Sequence, residues 1–150
     1  MRFKEFYLEL SSLLNHFGSL ATLFARLTLA YGFYEPALMK WSNFDVTVVW
    51  FTQLGIPFAT FATFLTASVE IIGVVLLALG LFTRIVSIPL MIILLVAIGT
   101  VHLGNGFSVA NNGFEIPLYY FLFLFFFATH GAGRFSIDYL IFKKAPIMTK

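Results

Sequence analysis

Apolar residues fill four stretches of this chain, at about 17–39, 57–82, 85–101 and 114–129, and only short polar breaks divide them. A bilayer core is crossed by about 20 apolar residues in a helix, so the pattern predicts four transmembrane helices. The second stretch is the strongest, and Thr83-Arg84 makes a tight turn from it into the third. The first is the weakest, because Arg26 and the Glu35-Pro36 pair interrupt it. The fourth contains FLFLFFFA and ends on HGAGR, where two glycines can stop a helix. Before the first stretch, apolar positions 3, 6, 7, 10, 13, 14 and 17 recur at helical spacing. Residues 1–16 are therefore expected to form an amphipathic helix at the membrane interface.

Composition agrees with a life in lipid. Of 150 residues, 60% are hydrophobic and 11% charged, whereas an ordinary soluble domain carries roughly 25% charged residues. The expected fold is all-α, a single domain over 1–150 built as an integral membrane four-helix bundle. The segment KWSNFDVTVVWFTQLGIP between the first two spans is too polar for lipid, but its Trp41 and Trp50 suit the headgroup region, as in an interfacial loop or short re-entrant helix.

Charge sets the orientation. Arg2, Lys4, Arg84, Arg134, Lys143, Lys144 and Lys150 fall on one side of a four-span topology and Lys40 on the other. The positive-inside rule then places both termini in the cytoplasm, with 141–150 as a cytoplasmic tail of a multi-pass inner-membrane protein. A net charge of +2 gives no case for nucleic acid, so the bilayer is the first expected partner. The chain has no cysteine, hence no disulfide, thiol exchange or iron–sulfur ligation of its own. It also lacks a removable leader pattern, a phosphate-binding glycine loop, and any diagnostic metal spacing.

Against that apolar background, a few polar residues inside the spans stand out. Glu70 lies in TFLTASVEIIGV, on a face shared with Thr63, Thr66, Gly73 and Gly80. Small and hydroxylated residues favour close helix contacts, so Glu70 should face the bundle. Arg26 is the one cation within a span, and an Arg26–Glu70 ion pair or hydrogen-bond network is the expected way of neutralising both. The other readings of Glu70 are a proton carrier and a binder of a polar headgroup. A second group gathers at the outer end: Glu35, His102, the asparagines of the loop, and Glu115 opening the fourth span, with Tyr119 and Tyr120 one turn further on. The candidate polar core or pocket is thus Arg26, Thr66, Glu70, His102, Glu115 and Tyr119, with no catalytic residue assigned and no metal.

Taken in order, RLTLAYGF, LGIP, VEIIGVVLLALGLFTR, VHLGNGF, NGFEIPL and GAGRFSID resemble the DoxX family of small bacterial membrane proteins over about residues 24–139. The positions fitting that pattern include Arg26, Gly32, Lys40, Glu70, Gly73, Gly80, Arg84, His102, Gly106, Glu115, Gly133, Arg134 and Asp138. Tyr34-Glu35-Pro36 departs from it, since many relatives carry a polar or glycine-containing step there. The resemblance implies a four-helix transmembrane bundle in the cytoplasmic membrane and a redox-associated role. In that role the chain would contact a quinone or similar lipid-like molecule, beside an oxidoreductase partner subunit or further copies of itself. With no intrinsic cofactor, electron transfer would need the bound quinone or that partner. A small proton-coupled transporter and a non-catalytic scaffold or assembly factor are the competing functions.

Overall fold

The computed structural model describes residues 2–142, and those residues are all helix, turn and loop, with no strand among them. The expected tail therefore lies outside the described residues except for 141 and 142. In order along the chain are α1 (Phe3–Ser42), α2 (Phe44–Gln53), α3 (Ala59–Leu79), α4 (Thr83–Ala97), α5 (Glu115–His130) and α6 (Ile137–Phe142). Among the described residues, two helices are long and apolar enough to cross a membrane: α3, and α4 with its continuation to Asn105. α5 is a shorter apolar helix of 16 residues.

The first helix differs from the expected division at residue 16. Residues 3–42 form one unbroken helix of 40 residues, so the segment expected to lie apart at the interface makes its first turns. Glu5 starts it, its carboxylate accepting from the Arg2 backbone N–H at 3.1 Å. Pro36, expected to disrupt the outer end, sits inside the helix. Proline is tolerated in such helices when neighbouring groups compensate for the missing backbone bond. Asn43 ends α1, and the polar stretch after it folds as α2, which packs against α3.

α1 and α3 make the most extensive helix pair, followed by α4 with α5. Leu29, Phe33, Leu77, Leu90, Leu94, Leu124 and Phe127 form the shared apolar core. At Gly73 a Cβ would come within 2.9 Å of Leu90, so the missing side chain lets α3 and α4 approach closely.

The α3–α4 turn is fixed by residues far along the chain. Gly80 ends α3 at φ +66, with Leu81 N–H bonded back to the Leu76 carbonyl at 2.9 Å. Phe82 follows in the left-handed region at φ 50. Such a conformation persists in a non-glycine residue when its surroundings hold it. Asp138 of α6 does so: its carboxylate accepts from Phe82 N–H at 2.7 Å and Thr83 N–H at 3.0 Å, and its own N–H donates to the Gly80 carbonyl at 2.9 Å. The carboxylate also caps α4, where unpaired N–H groups and the helix dipole favour negative charge.

Candidate functional site

The buried charges settle into two separate places, and the expected Arg26–Glu70 pair does not form. Arg26 donates from Nη1 to the Ala132 carbonyl at 2.9 Å and from Nη2 to the Phe135 carbonyl at 2.7 Å, both in the turn after α5. Its guanidinium packs directly on Gly80, where any Cβ would collide with it and with Ser136. Glu70 pairs instead with Lys40, whose Nζ lies 2.7 Å from Oε2 and 3.1 Å from Oε1. The reason is helix register. With Arg26 opposite Gly80, Glu70 is ten residues further along α3, roughly 15 Å away at 1.5 Å per residue. Lys40, expected as a cation outside the membrane, lies one turn after Pro36 within α1, level with Glu70.

A signal for this pairing exists in the sequence. Arg26 and Lys40 are 14 residues apart, and so are Glu70 and Arg84. In antiparallel helices with Arg26 and Arg84 at one end, Lys40 and Glu70 fall at roughly the same height, although the α3–α4 turn takes up part of the second interval. Charge counting by loop hid this by treating Lys40 as outside its helix.

Around the Lys40–Glu70 pair, the helices leave a cavity of about 840 Å³. This lies within the 300–1,000 Å³ range of small-molecule sites. Phe33, Pro36 and Gly32 of α1, Trp50 and Phe51 of α2, Leu65, Thr66 and Val69 of α3, Ile93 and Ala97 of α4, and Tyr120 of α5 line it. Its walls are apolar over most of their extent. Glu70 is only 3% exposed, whereas the Lys40 side chain keeps 18% exposure. The ammonium is thus the more reachable half of the pair.

Of the six sequence candidates, the structure brings Thr66, Glu70 and His102 to this cavity. Thr66 lines the wall one turn from Glu70, but its hydroxyl is spent on the Ala62 carbonyl. His102 sits at the rim, as the last residue of a π-turn over Ile98–His102, with Nδ1 2.8 Å from the Asn112 carbonyl. Arg26, Glu115 and Tyr119 lie elsewhere. Glu115 accepts from Val109 N–H at 2.9 Å and from the Tyr119 hydroxyl at 3.3 Å, closing the loop before α5. The tyrosine that lines the cavity is Tyr120, whose ring lies 5.7 Å from Phe33 and whose hydroxyl fills the space left by Gly32. Glu35 lines a second hollow of about 550 Å³ on the other side of Tyr120.

Comparison with known proteins adds the lineage of this arrangement. The DoxX family model matches residues 21–103, which carry Arg26, Lys40, Glu70 and His102. The chain belongs to the DoxX family. It is a membrane protein on that ground. A Haemophilus influenzae protein is 32% identical over 86% of this chain and 88% of its own length. "Putative oxidoreductase CatD" of Bacillus subtilis is 31% identical over 87% of this chain and 93% of its own. A Mycobacterium tuberculosis protein described as an uncharacterized membrane protein is 34% identical over 63% of this chain and 64% of its own. No solved structure matches the chain. The DoxX match ends at residue 103, so it holds Arg26 and Gly80 but not Ala132, Phe135 and Asp138, the residues that hold them in place.

Proposed function

We propose that this DoxX protein is a redox-associated subunit of the bacterial inner membrane whose cavity binds a quinone or a similar lipid-like molecule. It would cross the membrane four times, with α1, α3, α4 and α5 as spans and both termini in the cytoplasm. The observation that carries the reading is an ion pair set in the wall of a large apolar cavity. Apolar walls suit an isoprenoid or acyl chain, and a few placed polar groups fix the orientation of a head. A relative named as an oxidoreductase supports the redox association.

When bound, a quinone supplies two-electron, two-proton chemistry. The chain's own contribution is to place donors and acceptors around the head. Lys40 Nζ can donate to a ring carbonyl while it remains paired with Glu70. Glu70 holds the ammonium in place and, with His102 at the rim, gives a route for protons between the cavity and the loop before α5. Trp50 and Tyr120 provide flat faces on which a ring can pack.

The test is direct. Full-length protein is taken from its host membrane into nanodiscs without delipidation, and native mass spectrometry should detect a bound quinone at near one per chain. A short-chain quinone analogue should raise the melting temperature of stripped protein. Empty protein in repeated preparations, with no response to the analogue, would sink the reading.

A further inference from the structure

The first half of α1 has more apolar surface than its own chain covers. At 1.5 Å per residue, α1 is about 60 Å long, twice a hydrocarbon core of about 30 Å. Arg26, bonded to the turn after α5, and Thr22, packed against Gly133 of that turn, mark one end of the packed helices. No described residue before Arg26 is buried. Yet Phe3, Phe6, Leu10, Leu13, Phe17 and Leu20 are all 39–84% exposed, and they alternate by three and four residues without a break. The same alternation continues to Trp41. Apolar residues repeating every 3.5 positions over this length are the pattern of a coiled-coil seam. The core-facing residues Arg26, Leu29, Ala30, Phe33 and Ala37 occupy another face of the helix, and although Trp41 packs on Phe64 of α3, the seam before Arg26 is available without opening the bundle.

Two occupants suit such a stripe, a membrane surface or another helix, and charge separates them. Helices that lie on membranes carry Lys and Arg on their polar face, drawn to anionic lipid. Here Arg2 and Lys4 are cancelled by Glu5 and Glu9, and no other charged residue occurs before Arg26. A second copy fits better. Copies inserted in one membrane share orientation and depth, so their α1 helices run parallel with equal residues side by side. In that register Arg2 meets Tyr7 and Glu9 meets Leu14 across the pair, and no like charges oppose one another. We propose that the protein is a homodimer joined through the N-terminal half of α1 as a parallel two-stranded coiled coil. Nearer the core, the same face is suited equally to lipid, so the arm before Arg26 carries the contact.

The chain has no cysteine, which makes each introduced cysteine unique. In native membranes holding the full-length protein, oxidant should cross-link Leu10→Cys and Leu13→Cys to dimers at least about fivefold more than Ser12→Cys and Asn15→Cys, which lie off the seam. The double variant Leu10→Glu, Leu13→Glu should move purified protein from dimer to monomer in native mass spectrometry while its melting temperature under monomeric conditions stays unchanged. Equal cross-linking at all four positions, a wild-type monomer, or depth-dependent quenching of labels at 10 and 13 by lipid-bound quenchers would overturn the proposal.

Discussion

Arg26 and the Lys40–Glu70 pair are both buried charges on the same two helices, yet they are satisfied in opposite ways. Arg26 is 1% exposed, closed in by Gly80 and answered by two backbone carbonyls. Those carbonyls and the nearby Asp138 cap come from the end of the described chain, so this clasp holds the beginning, the middle and the end of the fold together. Lys40 and Glu70 answer each other with side chains and face an open cavity. With Nη1 and Nη2 spent on backbone carbonyls and its unpartnered Nε–H buried, a charge in so closed a site has little left to offer a ligand. A side-chain pair at a cavity wall keeps donors and acceptors that a ligand can share, and that difference separates the structural charge from the candidate binding one.

The largest effect should come from breaking the clasp. Arg26→Met leaves two carbonyls without their charged donors, and the loss of such bonds at about 1.5–3 kcal/mol each predicts a destabilisation of roughly 3–6 kcal/mol. Thermal melting of the purified variant would show it, and a melting temperature near wild type would remove Arg26 from the role assigned here.

Next in size is the ion pair. Lys40→Met strands a buried carboxylate, and breaking one partner of a buried pair costs roughly 3–5 kcal/mol, less here because Lys40 is partly exposed. The paired change Lys40→Met, Glu70→Met should recover most of that stability, giving a positive coupling in a double-mutant cycle. No such recovery should follow from combining Arg26→Met with Glu70→Met. If that second combination showed the stronger coupling, the register described between α1 and α3 would be wrong.

Asp138→Ala should come third. It removes the cap of α4 and one support of the left-handed Phe82, for about 1–2 kcal/mol by the cost of helix caps. Phe82→Gly in the same background should return part of the loss, since glycine adopts that backbone freely. Smallest is Thr66→Val. The hydroxyl serves only its own helix, so melting should change by under about 1 kcal/mol, leaving any change in ligand binding attributable to the shape of the cavity wall.

Much of the helical layout was legible from the apolar pattern. α3 falls within the second expected stretch, α4 and its continuation cover the third, and α5 matches the fourth to within a residue at each end. Composition speaks for each helix separately, which is why these came through. The facing of Glu70 was also legible, because threonines and glycines recur with it on one side. Its partner was not. Periodicity says which side of a helix turns inward but not how far one helix slides along another. That offset is set here by Arg26 against Gly80 and by Asp138 on the α3–α4 turn, contacts between residues distant in sequence. The course of α1 through Pro36 was hidden for a different reason. Local propensity treats an interior proline as a stop, whereas packing of α1 along α3 carries the helix on to Ser42. Tyr120 rather than Tyr119 reaches the cavity because the rotation of α5 is fixed by Phe127 and Leu124 in the core, and aromatic residues on every side of that helix give little sign of it.

The sharpest test asks whether the Lys40–Glu70 pair does more than hold two helices together. Binding of a short-chain quinone analogue should be measured on wild type and on Lys40→Met, Glu70→Met, with melting temperatures taken on the same samples. The variant should be nearly as stable as wild type and bind at least about tenfold more weakly, the loss of roughly 1.4 kcal/mol expected when a placed polar contact is removed. Equal binding by the stable variant would leave the pair a second structural clasp, and the contrast with Arg26 would fall.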